Sequence, residues 1–385
     1  MLDLQVPPYG QTTLADLVPS LMSALGAPGF TDTLQLAPLA GVCLLVVDGL
    51  GWELLRAHPQ DAPFLNRHAA TARPLAAGFP STTAASLASV GTGLPPGEHG
   101  LVGYAIALLG EERAMNLITW RAYGPGPSID LRDTVVPERF QPRPTALERA
   151  AAEGVAVSLV GPAVIADSGL TRAVLRGGEY RPAVGPDDLV AQAVSALGKV
   201  PRSFVYAYHS DLDATGHVRG VQSEAWRLQL ARVDRLAEAL ADRLPPDRGL
   251  MVTADHGMVD LPGAGRIDLG DEPELAAGVR LLAGEARARH VYTKPGAAPD
   301  VLAAWRAVLG DRMVVVARDE AVAAGWFGPT VRDEVLARIG DVVALACAPV
   351  GVFQRSVDAV QARFVGHHGS ATRAEQLVPG ILIRR

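Results

Sequence analysis

Cysteine is nearly missing: Cys43 and Cys347 are the only two in 385 residues, far apart and with no CxxC pair. That excludes a disulfide framework and a cysteine-ligated zinc site. Cys43 lies in an apolar run and reads as a small buried hydrophobe. A basic excess is missing too, since 35 lysines and arginines face 41 aspartates and glutamates, for a formal charge of −6. A duplex nucleic-acid binder needs a basic face, and a polybasic membrane contact needs a cationic cluster. Neither partner is expected. No apolar run approaches the roughly 18 residues that a transmembrane helix requires. Met1-Leu2-Asp3-Leu4-Gln5 lacks the basic-then-apolar order of a signal peptide. A cytoplasmic protein is therefore expected. Internal repeats and low-complexity tracts are also lacking.

What the chain does have is core material. Hydrophobic residues make up 49% and charged residues 20%, enough for one large α/β domain or two smaller ones. Gly41 to Val47 is a continuous apolar run closed by Asp48-Gly49, the pattern of a buried parallel strand opening into a loop. Phe204 to Tyr208 and Gly249 to Thr253 are further strands, and both run into Asp and His residues; Val155 to Gly161 is another. Helices are expected over 13–26, 186–199 and 222–243, the last with Trp226, Leu230, Val233, Leu236 and Leu240 on one face. Strands alternating with helices imply a mostly parallel sheet covered on both faces. Ligands gather at the carboxyl ends of such strands.

Residues 104–145 hold several prolines and show no period, so they read as an excursion over the surface. Residues 259–355 differ in texture, with strands expected at 290–294 and 313–317 and helices at 299–309 and 330–339. They read as a small α/β subdomain inserted into the main fold and shaping its pocket. The catalytic domain would then comprise 1–258 and 356–385, ending in a strand at 380–383.

Phe79-Pro80-Ser81-Thr82-Thr83 places a row of hydroxyls just before a small-residue helix, Ala84 to Val90. A hydroxyl at such a point caps the helix or shares the site with a bound anion. The candidate ligands elsewhere are Asp48, Asp213, His217, Asp255, His256 and one of His367 and His368. Carboxylate and imidazole are the donors of catalytic zinc. These six are too many for one tetrahedral ion and suit a pair about 3.5–4 Å apart. Neighbours in a strand point to opposite sides, so Asp255 and His256 can share an ion only if the strand breaks there, which Gly257 permits. The spacing of Asp213 and His217 fits one helical turn. His58, His68 and His290 have no ligand-like context, His99 reads as structural support, and His209 as a hydrogen-bonding partner of a ligand.

Taken together these motifs resemble the alkaline phosphatase superfamily, and within it the nucleotide pyrophosphatase/phosphodiesterase (type I phosphodiesterase) family, a group that includes phosphonoacetate hydrolase. The matching stretches, in the family's order, are Val47-Asp48-Gly49, Phe79-Pro80-Ser81-Thr82-Thr83, Thr92-Gly93-Leu94-Pro95-Pro96-Gly97-Glu98-His99-Gly100, Asp213-Ala214-Thr215-Gly216-His217, Ala254-Asp255-His256-Gly257-Met258 and His368-Gly369. The resemblance implies a three-layer α/β/α sandwich and two divalent ions, zinc first among them. One would be held by Asp213, His217 and His368, the other by Asp48, Asp255, His256 and Thr83. The family register selects Thr83 over Thr82 and Ser81 as nucleophile, and the His-Gly pair selects His368 over His367.

The activity so implied is hydrolysis of phosphodiester or nucleotide pyrophosphate bonds in a small phosphate ester such as a nucleotide, through a phospho-threonine. A phosphomonoesterase or phosphonate hydrolase on the same site is the alternative, and a non-catalytic binding protein is the reading from another class. No Cys/Ser-x-Pro-x-Arg is present for a sulfatase, and a threonine disfavours a phosphoglycerate mutase. The chain departs from the family in two places. Leu101-Val102-Gly103-Tyr104 lacks the asparagine that relatives place after His-Gly to hold a phosphoryl oxygen, leaving the Tyr104 phenol as substitute donor. Ala84 replaces a bulky aromatic frequent in nucleotide-hydrolysing relatives. Two dications against Asp48, Asp213, Asp255 and an alkoxide leave a near-neutral centre suited to a monoanionic diester. An arginine such as Arg73 or Arg121 brought into the site would reverse that preference.

Overall fold

The computed structural model describes residues 4–108, 110–198 and 200–384. The chain first runs through β1 (Gly41–Val47), β2 (Ala156–Gly161), β3 (Glu179–Pro182), β4 (Ser203–His209) and β5 (Arg248–Thr253). It then forms β6 (Val279–Glu285), β7 (Ala288–Thr293), β8 (Met313–Ala317) and β9 (Val342–Ala346), and returns as β10 (Ile381–Arg384). The main sheet has the order β10-β5-β1-β4-β2-β3. Its strands are parallel except β10, which runs antiparallel to β5. Every residue of β1 is buried, because helices cover both faces.

Helices Pro63–Ala69, Gly185–Leu197 and Glu224–Arg243 pack on one another in one layer. In Glu224–Arg243 the stripe of Trp226, Leu230, Val233, Leu236 and Leu240 is buried, as its spacing predicts. The other layer joins α1 (Leu14–Ala24), α2 (Thr83–Thr92), Ala146–Ala152 and Gly169–Val174. The result is a three-layer α/β/α sandwich with a mostly parallel central sheet. All of α2 is buried, which accounts for its alanines, serines and glycine. A Cβ on Gly91 would lie 1.9 Å from the Val174 carbonyl oxygen, so only glycine allows that close approach. Gly93, at a φ of 71°, ends the helix in the left-handed region.

Two expectations change. Residues 104–145 are a surface excursion only in part, with 125–130 exposed. They include a three-stranded antiparallel meander, Ala105–Ala107, Ala114–Asn116 and Arg121–Tyr123. Ile106, Met115 and Trp120 in or beside it are fully buried. Strands this short cannot display a hydrophobic period. The helix expected at 330–339 is a single turn, Asp333–Leu336.

The second sheet, β6-β7-β9-β8, is antiparallel. With helix Ala298–Leu309 it closes its own apolar cluster around Leu282, Val291 and Trp305. Ala288, Val343 and Leu345 reach instead into the main core. A buried ion pair fastens the two parts: Arg287, in the β6–β7 turn, meets Glu375 through two contacts of 2.7 Å. The same guanidinium donates to the carbonyls of Ala348 and Val350. Glu375 also accepts from the Ser370 N–H and the Thr372 hydroxyl.

Removing one partner of such a pair strands the other charge in the core. Arg287→Met should therefore lower unfolding free energy by about 3–5 kcal/mol, read from the denaturant midpoint. An unchanged midpoint would show that the pair contributes no net stability.

Candidate metal centre

β1 lies between β4 and β5, so the carboxyl ends of these three strands are neighbours. Asp48 follows β1 directly and is 4% exposed, while Asp255 and His256 follow β5 and are fully buried. After β4 the chain enters α3 (Asp211–Arg219), which carries Asp213 and His217 one turn apart. The break after β5 depends on Gly257, where a Cβ would sit 2.0 Å from the Ala374 carbonyl oxygen. With that break the adjacent Asp255 and His256 converge, Oδ2 to Nε2 at 3.5 Å, and Asp48 Oδ1 lies 3.4 Å from the same nitrogen.

Two groups result. Asp48, Asp255 and His256 form one and Asp213, His217 and His368 the other, each with its ligand atoms within 4.8 Å of one another. The His256 and His368 rings join the groups, stacked 3.5 Å apart between centroids. His367 belongs to neither; its Nε2 faces the Phe364 carbonyl at 3.2 Å.

The hydrogen bonds set the imidazoles up as ligands. Nδ1 of His217, His256 and His368 faces the carbonyl of Gly366, Gly257 and Ser81 at 2.8, 3.0 and 3.0 Å. A carbonyl only accepts, so each Nδ1 carries the proton and each Nε2 is left for a cation. The carboxylates complement them. Asp48 Oδ1, Asp213 Oδ1 and Asp255 Oδ2 are buried without a hydrogen-bond partner, a costly state unless a cation satisfies them. The residues present thus fit a divalent ion in each group.

The electrostatics agree. Burial, then the charges of Asp255 and Asp213, push the Asp48 carboxyl well above the usual carboxylate range. Burial works against charge on Asp213 as well, but His217 beside it outweighs that and holds the carboxyl below its ordinary value. Burial also opposes charge on His217, and Asp213, 3.3 Å from its Nε2, more than compensates. The pull that Asp213 exerts on a proton at Nε2 is the pull it would exert on a metal ion. Burial drives His368 well below its usual value, which keeps it in the neutral form a metal requires.

The three hydroxyls separate here. Ser81 donates its hydroxyl to the Ser370 carbonyl and its N–H to the Gly369 carbonyl. Thr82 keeps its hydroxyl buried with no partner. Thr83 opens α2 and places its Oγ1 3.2 Å from His256 Nε2.

A cavity of about 290 Å³ opens over both groups. Beyond the ligand groups, Thr83 and Tyr208, its wall includes Tyr104, Ile118, Thr119, Glu285, Gln361 and Phe364. Burial raises the Tyr104 phenol to about 12, so it remains a donor. Among the described residues no lysine or arginine lines the cavity. Arg121 pairs with Asp130 on an exposed edge, and Arg73 lines a different cavity. His99 and His290 are structural: His99 contacts the Ser89 hydroxyl and the Leu101 N–H, and His290 the Val102 carbonyl.

Sequence reasoning did not single out Tyr208, whose hydroxyl donates to Asp48 Oδ2. Its signal was available, as a tyrosine at the carboxyl end of a strand leading into the ligands. Glu285 was passed over for lack of any local motif.

The sequence pattern of the family described as type I phosphodiesterase/nucleotide pyrophosphatase matches residues 42–371. The chain belongs to this family. No curated relative matches the sequence. Among solved structures, murine ectonucleotide pyrophosphatase/phosphodiesterase 5, inactivated and in complex with AMP, superposes with a TM-score of 0.65 at 19% identity, covering 89% of this chain and 87% of that one. Phosphonoacetate hydrolase from Sinorhizobium meliloti 1021, in complex with phosphonoacetate, gives 0.65 at 19% identity and covers 89% of both. This phosphodiesterase-family protein shares their fold, and it is a metal-dependent hydrolase.

Chelation should destabilise this enzyme, since the buried carboxylates lose their compensation. At free metal near a thousand times Kd the difference is about 4 kcal/mol. Thermal melting with and without chelator, with metal content assayed, checks it; coincident melting curves would argue against metal in these groups.

Proposed function

We propose that this enzyme hydrolyses phosphodiester or nucleotide pyrophosphate bonds of small molecules, with Thr83 as nucleophile and zinc in both ligand groups. The observation that carries the reading is the Thr83 hydroxyl beside His256 Nε2 in the lining of the cavity. Imidazole and carboxylate donors with no thiolate favour zinc over softer or harder ions. Asp213, His217 and His368 would hold one ion, and Asp48, Asp255 and His256 the other. When bound, such ions supply Lewis acidity, which lowers the pKa of a coordinated hydroxyl and neutralises developing charge.

The chain's own residues then act as follows. Thr83 Oγ gives up its proton and attacks phosphorus in line with the leaving oxygen. A Thr83 O–P bond forms as the ester O–P bond breaks; the Thr83 proton passes to solvent, and the departing oxygen takes up a proton from water as it leaves. Water then cleaves the phospho-threonine and returns the hydroxyl. No side chain caps the N-terminus of α2, so its free N–H groups face charge on the phosphoryl oxygens. The Tyr104 phenol is a further donor in the cavity. Tyr208 orients Asp48. Residues 259–355 are the insertion that shapes the pocket, through Glu285.

The electrostatics of the wall favour diesters. A dianionic monoester, or a phosphonate that also carries a carboxylate, calls for a basic side chain, and none of the described residues supplies one to the cavity. A monoanionic diester needs none. Binding of AMP and phosphonoacetate by the structural neighbours supports a small phosphate or phosphonate compound as ligand here.

Zinc-loaded enzyme should cleave bis-p-nitrophenyl phosphate faster than p-nitrophenyl phosphate; the reverse order would sink the diesterase reading. Thr83→Ala should cost at least about 1,000-fold in turnover while metal content stays at the wild-type level. Full activity in that variant would move the nucleophile elsewhere.

A further inference from the structure

Glu285 is a carboxyl outside both ligand groups, 5% exposed, and neither of its oxygens has a hydrogen-bond partner. A buried polar group left in this state is costly, and the fold goes to some length to hold it there. Glu285 ends β6 and pairs with Ala288 across the tight turn of Ala286 and Arg287. Arg287 is locked to Glu375 by the buried ion pair. Gly284, at a φ of +75°, brings the strand so close that a Cβ would meet the Ala288 carbonyl oxygen at 2.2 Å. The hairpin tip is thus rigid, and it aims one acid into the cavity.

The surroundings define what that acid can meet. A Cβ on Gly369 would lie 2.4 Å from Glu285 Cγ, and the Thr82 hydroxyl and Tyr104 backbone stand beside the carboxyl. Thr82 precedes the proposed nucleophile and Gly369 follows His368, so Glu285 borders the place of the reacting phosphorus. The charged neighbours are engaged elsewhere: Arg289 is paired with Asp358, and Glu375 with Arg287. No described lysine or arginine reaches the cavity to pair with it. Within the protein only the Thr82 hydroxyl and the Tyr104 backbone approach the carboxyl, which leaves it open to an oxygen of the substrate.

We propose that Glu285 binds the phosphate group of the substrate, its carboxyl O–H donating to a non-bridging oxygen. This rests on the diesterase reading of Thr83 and adds a donor where Leu101-Val102-Gly103-Tyr104 carries no asparagine. An ionised carboxylate would repel the ester; a protonated one is a strong donor with no charge to repel it. Burial pushes Glu285 up to about 8, against the opposing pull of the Thr82 hydroxyl, Arg289 and the Tyr104 backbone, and so favours the acid form.

The test compares wild type, Glu285→Gln and Glu285→Leu, all zinc-loaded. Three measurements are made: kcat and KM for bis-p-nitrophenyl phosphate, the affinity for inorganic phosphate by calorimetry, and the melting temperature. The amide keeps an N–H donor, so Glu285→Gln should stay within about threefold of wild type in kcat/KM. Glu285→Leu should lose about 10–100-fold and bind phosphate correspondingly more weakly, with zinc content unchanged. Its melting temperature should not fall, because an unpartnered carboxyl has been removed; a structural role would lower it. Glu285→Leu indistinguishable from wild type would overturn the proposal. So would Glu285→Gln as impaired as Glu285→Leu, since the negative charge would then be what counts. If wild type cleaves no diester, the diesterase reading fails, and the phosphate affinities of the three proteins still decide the role of Glu285.

Discussion

Three carboxylates gathered at neighbouring strand ends, Asp48 and Asp255 buried and Asp213 partly buried, are the constraint around which this enzyme is built. Asp48, Asp213 and Asp255 each keep an oxygen that no donor in the protein satisfies. Like charges this close repel, and water cannot screen them. The arrangement persists because β1, β4 and β5 are adjacent and their ends are fixed by a core with no slack. Bound cations are the natural counterweight. The three imidazoles answer the same demand from the other side, with Nδ1 protons spent on backbone carbonyls and Nε2 lone pairs left over.

The second half of the site depends on long-range closure. His368 comes from the far end of the chain, after the second sheet. The segment Gly366–His367 pairs with Val259–Asp260, and Ser81 bonds to Gly369 and Ser370. Glu375 ties these pieces together: its carboxylate meets Arg287 and the Ser370 N–H, and its backbone carbonyl accepts the Gly257 N–H. One buried acid thereby fixes the hairpin of the second sheet, the His368 segment and the Asp255-His256 loop. Stability and site geometry are coupled through the same residue.

Charge distribution around the cavity narrows the chemistry. The floor is rich in carboxylates, and the described wall adds Glu285 but no basic side chain. Apart from its histidines, the positive charge of this site would be that of bound cations. On the function proposed above, that would favour substrates of low negative charge and leave recognition beyond the phosphate to the aromatic and neutral polar groups of the wall.

Much of this was legible in the chain order of its residues. Apolar runs ending in Asp48, in Asp213 and His217, and in Asp255 and His256 marked the strand ends, because a buried parallel strand must be apolar throughout and its ligands can only follow it. The spacing of Asp213 and His217 follows from the helical turn alone. The meander within 104–145 was not legible, since three-residue strands carry no period. Nor was the fate of the hydroxyls: Ser81, Thr82 and Thr83 are alike in composition, and only packing against Gly369, Ser370 and His256 gives them different partners. Arg73 and Arg121 were equally open until the fold carried both away from the cavity. Local sequence determined which strand ends and helical turn would offer metal-binding donors. Tertiary structure alone decided which hydroxyl meets them and that Glu285 joins them with its carboxyl unsatisfied, because those contacts cross hundreds of residues and depend on how two sheets are fastened together.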